Sequence, residues 1–168
     1  MKIKETVIVF PDIHFPNQDE KALKCALNVV KEVKPTAFLL LGDFIDGESV
    51  SHWQWKRRKR PPLEYQLPFI DQEIAEGNQG LDRIDEVLKK VGCKKKQVTQ
   101  GNHEIWFDYF VEENPYLEHY GSRKAFKLDE RGYEWHPYGE VFKVFGSKLY
   151  AYHGGHYVGI AHARTHAL

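Results

Sequence analysis

The chain has 168 residues, 42% of them hydrophobic and 29% charged, which suits one domain with a buried core and excludes a disordered or fibrous chain. Its 24 basic and 24 acidic residues cancel, so no global field draws it to nucleic acid and any such attraction must be local. No apolar run approaches the roughly 20 residues of a membrane helix, and the apolar stretch after the charged N-terminus is too short for a signal peptide, ending at Pro11.

Val7–Phe10, β-branched and closed by Pro11, reads as a buried strand. From Asp19 to Val33, residues Leu23, Ala26, Leu27, Val30 and Val33 recur at helical spacing, with Asn17 or Asp19 as the cap and Pro35 as the stop. Ala37–Leu41 is a second continuous apolar run. The opening is therefore β-α-β, and uninterrupted hydrophobic strands imply a parallel sheet covered on both faces. Residues 49–68 hold Trp53, Trp55 and the five cations Lys56–Arg60 before Pro61-Pro62, and read as a loop over the sheet. A helix is expected from about Phe69 to Val91, with Leu81, Ile84, Val87, Leu88 and Val91 on one stripe and Gly77–Gly80 splitting its middle. Lys94–Lys96 reads as a solvated loop, and Gln97–Gln100 as the third strand. A short helix follows from Glu104 to about Val111. No organisation is legible over 112–135. Val141–Phe145 and Lys148–Tyr152 read as a hairpin around Gly146-Ser147, and Tyr157–Leu168 reads as a helix. There is no repeat and no linker, so 1–168 is expected to be one domain. Cys25 and Cys93 lie in unrelated contexts, as reduced thiols of a cytoplasmic protein would.

The chemistry gathers where these strands end. The first runs into Asp12-Ile13-His14, the second into Gly42-Asp43-Phe44-Ile45-Asp46, and the third into Gly101-Asn102-His103-Glu104. The hairpin runs into His153-Gly154-Gly155. In open α/β sheets the carboxyl ends of the strands face one crevice, so residues scattered in sequence are expected to meet in space. Oxygens of Asp and Asn with nitrogens of His suit Mn, Fe(II), Zn or Mg, and the absence of thiolates argues against a structural zinc site. Asp12 and His14 fall on one side of an extended segment and can chelate. Asp43 can bridge two ions, with Asn102 and His153 completing the second, and two such ions can activate water and clamp phosphoryl oxygens. Glu104 reads as a helix N-terminal residue favoured by the helix dipole, and His156, His162 and His166 as helix-face residues.

The motifs D-x-H, G-D-x-x-D and G-N-H-E, in that order and each at a strand end, resemble the calcineurin-like metallophosphoesterase family, and most of all its small phage and bacterial members. The resemblance implies a layered α-β-β-α sandwich. It implies Asp12, His14 and Asp43 around one divalent ion, and Asp43, Asn102 and His153 around a second. It makes His103 the acid that protonates the leaving oxygen or the group that steadies the transferred phosphoryl, with Asp46 orienting it. Two departures stand out. The family's terminal G-H-x-H segment is missing, since His162 and His166 have the wrong spacing; the expectation is a C-terminally incomplete site in an N-terminal portion of a longer protein. Gly47 stands where Ser/Thr protein phosphatases carry Arg. The expected activity is two-metal hydrolysis of phosphate esters, foremost phosphodiesters of nucleic acid or nucleotides, with Trp53, Trp55 and Lys56–Arg60 tracking the polyanion. The rival is a non-catalytic module that binds nucleic acid or a partner on a degenerate phosphoesterase fold.

Overall fold

The computed structural model describes residues 5–51, 53 and 59–154. Strand β1 (Val7–Phe10) leads to helix α1 (Glu20–Val33), then β2 (Ala37–Leu40), α2 (Leu63–Lys90), β3 (Lys95–Thr99) and α3 (Glu104–Glu113). A 3-10 turn at Pro115–Tyr120, a single-turn α4 (Ser122–Ala125), β4 (Glu134–His136), β5 (Phe142–Lys143) and β6 (Tyr150–Ala151) complete the described elements. Strands β1-β2-β3-β4 form one parallel sheet in that order, with Val7 beside Ala37, Ala37 beside Lys95, and Gln97 beside Glu134. β5 and β6 pair antiparallel as a second, smaller sheet.

Alternation along the strands assigns the layers. Ile8, Phe10, Phe38, Leu40 and Val98 enter the main core with Leu23, Leu27 and Val30 of α1 and Ile70, Leu81, Ile84 and Leu88 of α2. Leu39 points the other way, against Phe142 and Val144 of the small sheet. The parallel sheet is thus covered on both faces, by helices on one side and the hairpin on the other. Asp19 caps α1 by accepting from the Lys21 and Ala22 amides (2.8 and 3.0 Å), and Lys34 in the left-handed region ends it. Val33 of the expected stripe is exposed.

Four local expectations need correction. The loop expected over 49–68 stops at Pro62, because α2 already begins at Leu63. It accommodates Pro68 where the freed Glu64 carbonyl lies on the exposed side. Glycines do not split α2: it runs unbroken for 28 residues. A Cβ at Gly80 would lie 2.5 Å from the Phe15 ring, and one at Gly77 2.6 Å from Ile45, so these glycines are where the helix seats the loops that follow β1 and β2. Lys95 and Lys96 belong to β3 rather than a solvated loop, Lys96 being neutralised by Asp85 at 2.9 Å. The hairpin strands are only two residues each, because Val144–Gly146 turns as a 3-10 segment. β4 was not legible in the sequence at all. The helix expected at 157–168, with His156, His162 and His166, lies outside the described residues, as do Trp55 and Lys56–Arg58. No helix among the described residues is long and apolar enough to cross a membrane.

Candidate metal centre

The loops after β1 and β2 run on side by side past the sheet: the Asp12 amide donates to the Gly42 carbonyl (3.2 Å), His14 to Asp43 (3.0 Å) and Phe15 to Phe44 (2.8 Å). Within this ribbon Asp12, His14 and Asp43 all take positive φ, 49°, 54° and 49°. Such backbone is costly for a residue with a side chain and persists only where surrounding contacts hold it. The brace is Glu104. It is fully buried; its Oε2 accepts from the Asp43 and Gly101 amides (2.9 and 2.6 Å) and its Oε1 from Ile45 (3.1 Å). It is a strut between the ends of β2 and β3, a role its position at a helix start did not reveal. Burial foremost, then the charge of Asp43, pushes its carboxyl up to about 7. Gly101 is glycine because a Cβ there would collide with the Asp43 side chain and backbone.

The strand ends bring together Asp12, His14, Asp43, Asp46, Asn102, His103 and His153. One ligand atom each from Asp12, His14 and Asp43 lie within 4.8 Å of one another, and so do those of His14, Asp46 and His103. On the other side of Asp43, His153 Nε2 lies 3.3 Å from Asp43 Oδ2 and 2.9 Å from Asn102 Oδ1. Asp43 Oδ1 accepts the His103 amide (3.0 Å). Trp106 packs on the His103 ring with centroids 4.3 Å apart, and the His14 and His103 rings meet edge to face at 4.6 Å.

Asp46 is partnered differently from expectation. Its Oδ1 holds His14 Nδ1 at 3.1 Å and its Oδ2 accepts from Asn17 (2.9 Å). Its carboxylate stays 4.0 Å from His103 Nδ1, and it is the Asp46 backbone carbonyl that His103 Nδ1 meets. A pattern follows for all three histidines. His14 gives Nδ1 to the Asp46 carboxylate, His103 to the Asp46 carbonyl, and His153 to the Leu41 carbonyl at 2.9 Å. An acceptor at each Nδ1 leaves each Nε2 lone pair for a cation or a proton, the arrangement that metal-binding histidines require.

The electrostatics agree with a cation site. Nε2 of His153 faces two oxygen acceptors, so something positive must stand between them. Without a metal it is a proton: burial opposes the charge, but the Asp43 hydrogen bond, the Leu41 carbonyl and the nearby carboxylates hold His153 up to about 9. Burial likewise works against the Asp43 anion, yet hydrogen bonds from His153 and the His103 amide bring its pKa below the ordinary value. Among the described residues no lysine or arginine ion-pairs with Asp12, Asp43 or Asp46. The donor chemistry therefore fits divalent cations.

Tyr138 also reaches this rim. It follows the unforeseen β4, its amide is held by Gln100 Oε1 (3.1 Å), and its ring lies 6.3 Å from that of His153. Burial first, then the charge of Asp43, raises its pKa. His136 of β4 is a packing residue, stacked on Phe142 at 3.8 Å.

A parallel sheet whose strand ends converge on carboxylate and imidazole donors, with no thiolate among them, belongs to a metal-dependent hydrolase. The model of the calcineurin-like phosphoesterase family matches residues 5–167, and the chain belongs to that family. It is a phosphoric ester hydrolase, of a family whose members generally work with a pair of divalent cations. No curated protein sequence matches the chain significantly.

Proposed function

We propose that this protein hydrolyses phosphodiesters, with nucleotides or nucleic acid as the substrate class, through two divalent cations, manganese foremost and iron, zinc or magnesium as competitors. The position of Asp43 carries the proposal. Its carboxylate belongs to the Asp12–His14 donor group and also lies 3.3 Å from His153, so one side chain serves two adjacent sets. Asp12, His14 and Asp43 would hold the first ion; Asp43, Asn102 and His153 the second. Such a pair supplies a nucleophilic water at neutral pH and neutralises phosphoryl charge.

The chain's own residues do the rest. His103, its Nδ1 anchored on the Asp46 carbonyl and its ring backed by Trp106, presents Nε2 to give a proton to the leaving oxygen. Asp46 and Asn17 form a relay that fixes the tilt of His14. Trp53, 58% exposed, and the cationic run after it support a nucleic-acid or nucleotide substrate; Arg60 of that run is engaged by Glu113.

The test is a manganese titration followed calorimetrically and by electron paramagnetic resonance, alongside turnover of bis(4-nitrophenyl) phosphate. Two ions per chain are expected. Asp43→Asn, which keeps the side-chain shape and tolerates positive φ, should bind at most one ion and lose turnover while the circular dichroism spectrum stays native. Two ions and full turnover in that variant would overturn the mechanism.

A further inference from the structure

Beside the metal centre lies a cleft of about 430 Å³ between the first half of α2 and the segments after β1 and β2. One side chain separates the two. Asn17 lines the cleft and donates to Asp46 Oδ2 at 2.9 Å, while the other Asp46 oxygen holds His14. A substrate with its phosphate at the metal centre therefore has this cleft within reach on the Asp46 side.

Two properties of the wall define what fits. The first is flat and apolar: Pro16, Pro61 and the Phe69 ring, which is 66% exposed although it sits one residue before the buried Ile70. The second is an excess of acceptors. Gln72 gives one amide N–H to Glu76 Oε1 (3.0 Å) and keeps its oxygen, Glu76 keeps its second oxygen, and the Glu73 carboxylate, which accepts from Glu48 and Ser49, adds negative charge to the wall. No lysine or arginine lines the cleft among the described residues. A phosphate group would be repelled here, so the cleft suits the organic part of an ester. Its volume falls within the range of about 300–1,000 Å³ typical of small-molecule sites. A planar ring that can lie on Phe69 while donating N–H groups to Gln72 and Glu76 satisfies both properties, and that is a nucleobase with an exocyclic amino group.

We propose that this cleft is a base subsite, receiving the amino-bearing nucleobase of a nucleotide ester whose phosphate is cleaved at the adjacent centre; as a substrate subsite it rests on the phosphodiesterase reading above. Phe69 supplies the stacking face. Glu76 and Gln72 discriminate, because a base with a carbonyl in place of the amino group would turn an acceptor toward acceptors.

Two measurements test it. In the first, the 4-nitrophenyl esters of adenosine and inosine 5′-monophosphate are hydrolysed with manganese present, bis(4-nitrophenyl) phosphate serving as the base-free reference. The adenosine ester should be preferred over the inosine ester by at least about tenfold in kcat/KM. Phe69→Ala should reduce kcat/KM for the adenosine ester far more than for the reference, and Glu76→Gln should collapse the adenosine-to-inosine ratio toward unity. In the second, saturation-transfer NMR compares adenosine and inosine binding to the chain without added metal, so that it needs no turnover; adenosine should receive the stronger transfer. Equal rates with equal transfer would overturn the base subsite, and so would an adenosine preference that neither variant changes. Selective transfer to adenosine with no hydrolysis of any ester would leave the subsite standing and overturn the phosphodiesterase reading instead.

Discussion

Charged groups cluster at both ends of the parallel sheet, and the two clusters are built on opposite plans. Where β3 begins, Lys96 meets Asp85 at 2.9 Å, Arg131 spans Asp85 and Asp82 at 2.8 and 2.6 Å, and the Tyr133 hydroxyl donates to Asp85 at 3.1 Å. Every charge there has an opposite within reach. Where the strands end, the described residues give Asp43 and Asp46 histidines but no lysine or arginine as positive partners, Asp12 lies beside them, and Glu104 adds a fully buried carboxyl behind. Three of the residues that carry donors at the strand ends also hold positive φ. A cluster that serves stability closes on itself. One that awaits cations keeps a deficit of positive charge and depends on its surroundings to hold it together.

Substitutions should separate the two ends. His103→Ala should reduce kcat by about 10²–10⁴-fold while the number of bound ions stays the same, as steady-state assays and metal analysis would show; a lower ion count would make His103 a ligand rather than an acid. At the opposite end, Arg131→Ala removes a largely buried guanidinium that joins Asp85, Asn78 and the Phe126 carbonyl and should cost about 3 kcal/mol in urea denaturation, with turnover per folded molecule unchanged. A specific loss of turnover there would end the contrast. Asp46→Ala frees His14 from its orienting carboxylate and should weaken metal affinity by about 10–100-fold, measured by competition with a chelator.

The smallest effect is on pH dependence. In the cation-free chain His153 is raised from an ordinary 6.5 to about 9, so its contribution to stability is complete below 6.5 and is lost as pH rises through 9. Cation affinity runs the other way, because the ion must displace that proton. Affinity of the ion assigned to Asp43, Asn102 and His153 should climb by about tenfold per pH unit from neutrality until it levels off near 9. A flat profile would show that His153 is not where proton and metal compete.

The sequence carried the site further than it carried the frame around it. Ala37–Leu40 announces itself as a strand because it is buried on both faces, and Val7–Phe10 because it is a β-branched apolar run, although as the edge strand it leaves Val9 exposed; the residues that follow each strand are punctuation that any chain must place at an edge. Asp12, His14, Asp43, Asn102, His103 and His153 could therefore be gathered before their distances were known. β4 could not, because Glu134–His136 is three residues long, and pairing with Gln97–Thr99 rather than its own composition makes it a strand. Tyr138 was lost with it. Gly77 and Gly80 suggested a break in α2 because local propensity cannot see that Ile45 and Phe126 pack over one and Phe15 over the other. Glu104 failed for a related reason. Its partners are backbone amides of residues about sixty positions away in the chain, which no local pattern encodes.

Gly80 lies on the far side of the molecule's chemistry, yet the Phe15 ring that rests on it belongs to the residue directly after His14. A side chain at position 80 of the 28-residue helix would push against Phe15 and so against the segment that carries the imidazole. Directed evolution confined to the mouth of this enzyme would overlook one of its finest adjustments, and a library opened at position 80 together with 15 would retune donor spacing without touching a donor.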